Sequence, residues 1–193
     1  MDANNKIFDF AYMMAFRDAT MRNAFPRWEE EKNDDGTFHK RKDEIKNYSK
    51  PIVQNYINTV VEANLQTKQE SLAVINRLCD EENTARGFTF GNAQKLVNMT
   101  AKYMFISAYA AREKRELFKN CHCPMDGVMM DWVKKHCRDY GLPNVKFDIP
   151  WSKLRIDDEK SLNEYKVFQD YIDKIAMMEE IFAIEVDFLY WDE

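Results

Sequence analysis

The stretch from Asn92 to Phe118 constrains the fold more than any other part of this 193-residue chain. It carries Leu96, Val97, Met99, Tyr103, Met104, Phe105, Ile106 and Tyr109, spread over most of a helical circumference. A helix that is apolar on nearly all sides has to sit inside its protein, with other elements packed around it. The remaining sequence supplies them. Asn5 to Phe25 places Ile7, Phe8, Phe10, Ala11, Met14 and Ala15 at helical spacing, and Pro26 ends the run. Ser49 reads as a cap, with Pro51 in the first turn of a helix reaching about Leu65. A further helix is expected from about Gln69 to Glu82.

Downstream, Asp126 caps a helix that stops at Tyr140-Gly141-Leu142-Pro143, since Gly just past a helix end with Pro beyond it is a strong stop signal. Val145 to Ile149 reads as a short extended segment broken by Pro150. Asp157 or Asp158 opens a helix to about Met178, and a last apolar helix runs from Ile181 to Trp191. The expectation is an all-α fold of about seven helices. It is a compact multi-helix domain spanning residues 1–193, with 27–46 as a mobile charged loop around Asn33-Asp34-Asp35-Gly36.

Hydrophobic residues make up 45% of the chain, enough for a core, and only 5 Gly and 5 Pro argue against low-complexity or collagen-like sequence. The N-terminus lacks the basic-then-apolar pattern of a secretory signal. The longest strongly apolar run, Tyr103 to Ala111, is too short for a bilayer. A cytoplasmic chain without a membrane partner is expected, its cysteines reduced. Cys121-His122-Cys123 with His136-Cys137 invites a zinc reading, but the single-residue gap departs from the usual spacing. Buried thiols and no metal are the reading preferred. The net charge of −5 is uneven: Ile156–Glu193 holds 12 acidic and 3 basic residues, leaving 25 basic and 21 acidic before it. Between Thr84 and Cys123 there are 7 basic and 2 acidic residues, so an acidic total does not exclude nucleic acid.

Two helix starts carry reactive groups. Gly91-Asn92-Ala93-Gln94-Lys95 opens the central helix, where unpaired N–H groups and the dipole suit a phosphate. Lys95 shares a helix side with Met99 and Lys102. Pro124-Met125-Asp126 places a carboxylate at the start of the next helix, where an ordinary N-cap role is the plain alternative.

The run Gly91 to Met104 resembles the catalytic helix of the archaeal-type 8-oxoguanine DNA glycosylases, a divergent branch of the helix-hairpin-helix glycosylase superfamily. In that family a lysine opening this helix is the nucleophile and a Pro-x-Asp element follows, as Pro124-Met125-Asp126 does here. Phe182 to Trp191, with Asp187 and Trp191 four apart, is similar to the family's C-terminal pocket segment. The likeness covers 87–191 in patches; the Gly-x-Gly hairpin is absent, and Met99 stands where the family places an aromatic. It implies a base-excision glycosylase and abasic-site lyase acting on double-stranded DNA, with no small-molecule cofactor. The target base is flipped out of the duplex, and a Lys95 amine attacks the sugar through a Schiff base. The resemblance requires that amine to be neutral, which burial against Met99 and Tyr103 with Lys102 nearby would favour. It implies Asp126 as the lysine's proton acceptor, and Met99, Asp187 and Trp191 as the base pocket. Gly91, Asn92 and Lys102 are expected at the DNA.

Two alternatives stand beside this. Arg115 and His122 have the Arg-x6-His spacing of the α-helical HEPN nucleases, although Glu116 follows where that family carries Asn, Asp or His. A non-catalytic helical interaction or DNA-binding module is the other, resting on the acidic, aromatic segment from Asp170 to Glu193.

Overall fold

Thr89 starts the helix on which the rest of the fold is built. In the computed structural model, which describes residues 3–21, 31–32, 38–39, 41–85, 88–109 and 111–190, its hydroxyl accepts the Asn92 N–H at 3.1 Å. The Asn92 side-chain oxygen in turn accepts the Thr89 N–H at 3.0 Å. This reciprocal cap satisfies donors that a helix start leaves open. The helix runs Phe90–Ala108, and every residue from Phe90 to Lys102 is buried, as is Phe105.

Helix α1 (Ala3–Ala19) lies along this central helix in the most extensive contact of the fold. The two run antiparallel: the Asn92 amide donates to Ala19 O at 2.8 Å, while Phe8 shares a cavity with Met104 and Ala108 at the other end. After α1 come α2 (Arg41–Val61), α3 (Lys68–Leu78) and α4 (Glu81–Ala85), so the central helix is α5. Then follow α6 (Arg112–Arg115), a 3₁₀ turn at Glu116–Phe118, α7 (Gly127–His136), a second 3₁₀ turn at Trp151–Lys153, α8 (Glu159–Met178) and α9 (Ala183–Tyr190). The fold is all-α apart from a two-residue antiparallel pairing of β1 (Glu31–Lys32) with β2 (Phe38–His39). Among the described residues no helix is long and apolar enough to cross a membrane.

Several sequence expectations need correction. Helix α2 begins at Arg41, so residues 41–46 are helical rather than part of a loop, and β1 and β2 pair within the same stretch. The rest of 27–46 lies outside the described residues. Ser49 is not a cap. Its hydroxyl turns back on the Ile45 carbonyl at 2.5 Å and meets Tyr12 Oη at 2.8 Å, satisfied inside the helix. The Gln69–Glu82 helix divides where Asp80 accepts the Asn83 N–H at 2.7 Å and starts a new one. The long helix to Phe118 stops at Ala108. Phe118 packs edge-on to Phe105 with centroids 5.8 Å apart, whereas a straight helix would hold residues this far apart in sequence about 20 Å apart. Phe188 of α9 closes on Phe105 and Tyr109, and this aromatic cluster turns the chain back.

Val145–Ile149 forms no strand. The segment between α7 and α8 is instead held by Glu164, whose carboxylate accepts the Asp148 and Ile149 N–H groups at 3.0 and 3.1 Å. Asp158, of the two acidic candidates, is the cap of α8.

Candidate functional site

Cys121 to Asp126 runs through the interior as neither helix nor strand, and no strand pairs with it among the described residues. Buried backbone polar groups must find partners, and three side-chain amides provide them. Gln94 donates to Met125 O at 2.6 Å and accepts Met125 N–H at 3.1 Å. Gln169 does the same for Cys123, at 2.8 and 3.2 Å. Asn98 bridges Gln94 and the Tyr165 hydroxyl at 3.2 and 3.1 Å. These amides fix the start of α7 against the first turns of α5.

Asp126 at that start serves two partners. Its Oδ1 accepts Met129 N–H at 3.0 Å, the ordinary cap, and its Oδ2 accepts from Lys95 Nζ at 3.1 Å. Both side chains are nearly sequestered, 6% exposed for Lys95 and 13% for Asp126. The Lys95 amine also lies 4.5 Å from the centroid of the Trp151 ring. Two turns further along α5, Lys102 pairs with Asp187 of α9 at 2.7 Å. Burial pushes the Asp187 carboxyl above the ordinary range; Lys102 opposes that, and the charges of Asp126 and Lys95 act on it too. Asp187 Oδ1 has no hydrogen-bond partner among the described residues. Two lysines and two carboxylates thus form one buried, charge-balanced group.

The structure therefore brings Lys95, Asp126, Lys102 and Asp187 into one neighbourhood, with Met99 buried on the same helix. Trp191 lies outside the described residues. Gly91 and Asn92, expected at a phosphate, are instead interior. Asn92 closes the cap and holds Ala19, and the Gly91 N–H donates to Leu154 O at 3.2 Å. Lys102, expected at DNA, is turned inward onto Asp187. The amides Gln94, Asn98 and Gln169, the Glu164 clamp and Trp151 were not anticipated as site residues. Gln94 directly precedes Lys95, but only tertiary contact reveals what it holds.

The nuclease pair is committed elsewhere. Arg115 reaches Glu185 at 3.5 Å and stacks over Tyr109. His122 is 6% exposed and bonds the Tyr165 hydroxyl at 2.7 Å. All four cysteines are buried and unpaired, and among the described residues no three His, Cys, Asp or Glu side chains converge as a metal site would require.

Burial lowers the His122 imidazole from its ordinary 6.5 to about 3. A folded value below the unfolded one means that stability present at neutral pH is lost as pH falls through that window, because only the unfolded chain takes up the proton. The urea midpoint is therefore expected to fall between about pH 6.5 and 4.5, above most carboxylate titration. In His122→Gln the slope over that interval should flatten. A slope unchanged by the substitution would show that the imidazole does not govern it.

No protein-family profile, curated protein or solved structure matches this chain.

Proposed function

We propose that this chain is a DNA glycosylase and abasic-site lyase, with Lys95 as nucleophile and Asp126 as its proton acceptor. The observation that carries the reading is the 3.1 Å approach of two nearly buried groups, Lys95 Nζ and Asp126 Oδ2, 31 positions apart in the sequence. The carboxylate stands within hydrogen-bond reach of the amine as a proton acceptor at the point of attack, which a solvated surface lysine lacks. Asp187 supports the same reading, since its Oδ1, without a hydrogen-bond partner among the described residues, is an acceptor for a donor on an extruded base.

The chemistry balances with these groups. Asp126 takes a proton from the Lys95 ammonium. The neutral amine then forms a bond to the sugar C1′ as the C1′–base bond breaks, and the base leaves with the electron pair and the proton from Asp126. The amine's proton passes to Asp126. The sugar C1′–O4′ bond then opens to a protonated imine, O4′ taking the electron pair and the proton held by Asp126. Asp126 then accepts a C2′ proton, a C2′–C3′ double bond forms as the 3′-phosphate leaves with the C3′–O electron pair, and water adds to the imine to release the lysine. A flipped nucleotide is needed throughout, because C1′ is out of reach within a stacked duplex.

Incubation with a duplex bearing 8-oxoguanine or an abasic site, followed by borohydride, is expected to give a covalent protein–DNA adduct. Lys95→Gln should abolish it, and Asp126→Asn should reduce its rate by about a hundredfold, in the range for loss of a general base. No adduct and no strand cleavage across a panel of lesions would overturn the assignment. Binding without either would favour a non-catalytic DNA-binding module.

A further inference from the structure

We infer that Trp151 is the positioning residue for the Lys95 amine, holding it on the Asp126 side of its pocket from a strap of chain laid across the start of α5. The catalytic part of this inference rests on the function proposed above; the positional part does not.

The strap is anchored at several independent points. Thr89 Oγ1 donates to Ser152 O at 3.1 Å, and the Gly91 N–H donates to Leu154 O at 3.2 Å. Leu154 is fully buried. Upstream, Glu164 clamps the backbone at Asp148 and Ile149. Gly91 makes the close approach possible, since a Cβ there would stand 1.8 Å from the Trp151 carbonyl oxygen. Together these contacts fix the backbone from which the indole projects.

Its face sits 4.5 Å from Lys95 Nζ. A lysine has several extended rotamers and a flexible stem, and a single carboxylate does not choose between them. The ring does so in two ways. Its π face attracts the amine in its protonated resting state, and its bulk takes up space 4.5 Å from a side chain that is only 6% exposed. The amine is left between an acceptor on one side and an aromatic wall on the other. Near-attack geometry depends on such restriction, and small displacements of a nucleophile are costly.

The test compares wild type, Trp151→Phe and Trp151→Leu in two assays. Reductive methylation with formaldehyde and cyanoborohydride, read lysine by lysine by mass spectrometry, reports access to each amine. Lys102, buried on the same helix, is the internal reference. Lys95 is expected to react about tenfold faster in Trp151→Leu and near the wild-type rate in Trp151→Phe, which keeps an aromatic face. Lys102 should be unchanged in both. Equal Lys95 rates in all three proteins would overturn the assignment, as would a parallel rise at Lys102, which would mark general loosening. In the second assay, single-turnover borohydride trapping on a saturating abasic duplex should slow about tenfold in Trp151→Leu with half-saturation unchanged, and recover in Trp151→Phe. A wild-type rate in Trp151→Leu would overturn the catalytic part. Failure of wild type to form any adduct would instead overturn the glycosylase reading, while the methylation result still decides the position of the amine.

Discussion

Replacing Lys102 by methionine is expected to destabilise the fold by about 3–5 kcal/mol near neutral pH, the range for removing one partner of a buried ion pair. The Lys102 and Asp187 side chains are 10% and 2% exposed and 2.7 Å apart. Without the ammonium, the Asp187 carboxylate remains buried and uncompensated. The loss should shrink on acidification, because a protonated carboxyl needs no counter-charge. The sign follows from the direction of the shift. Burial raises Asp187 in the folded chain, so its contribution is present below the ordinary carboxyl value and is lost as pH rises through the raised folded one. Lys102 is the main influence opposing that rise, so its removal extends the affected window upward. Denaturant titrations at pH 7 and pH 4.5 measure both points. Adding Asp187→Asn to the variant should recover most of the loss at pH 7. A penalty under about 1 kcal/mol, typical of exposed pairs, would show that the two groups are not buried together.

Gly91→Ala is the second large effect expected. The added methyl would stand 1.8 Å from Trp151 O and 2.8 Å from Trp151 C, both backbone atoms. Neither can rotate aside, so the strap or the start of α5 must shift. Overpacking of this kind costs about 1–3 kcal/mol and sometimes more. Thermal melting reads the loss directly. A structure of the variant should show the strap displaced from α5, with the Leu154 O to Gly91 N–H bond lengthened or broken. A melting temperature equal to wild type would mean that the close approach is relieved at no cost.

The parts of this architecture visible in the sequence are those that depend on near neighbours. Leu96, Val97, Met99 and Phe105 announce a central helix because a helix brings them around its whole surface, and α5 is buried as that pattern requires. Asp126 and Asp158 cap their helices by local geometry alone. What the Asp126 carboxylate faces is a different matter. Its contact with Lys95 spans 31 residues, and only the family resemblance anticipated that the two belong together. The charged start of α2 gave no strong apolar period, so Pro51 drew the expected boundary into the middle of a helix that accommodates it. Gly91 reads in the sequence as part of a phosphate-facing helix start. Its hydrogen is needed for packing against a backbone some sixty positions away, a demand that no local pattern encodes. Trp151 and Gln169 escaped notice for the same reason.

The burial of all four cysteines also settles how this molecule meets an oxidising solution. Cys79 and Cys121 are pushed up to about 12 by burial, and Cys123 is raised as well. Thiolate is the species that attacks disulfides and peroxides, so at these three positions the folded chain withholds both the sulfur and its reactive form, and at Cys137 it withholds the sulfur. Sulfur chemistry is then gated by unfolding: native copies have no exposed thiol through which to crosslink, and a chain that does so has already lost its core.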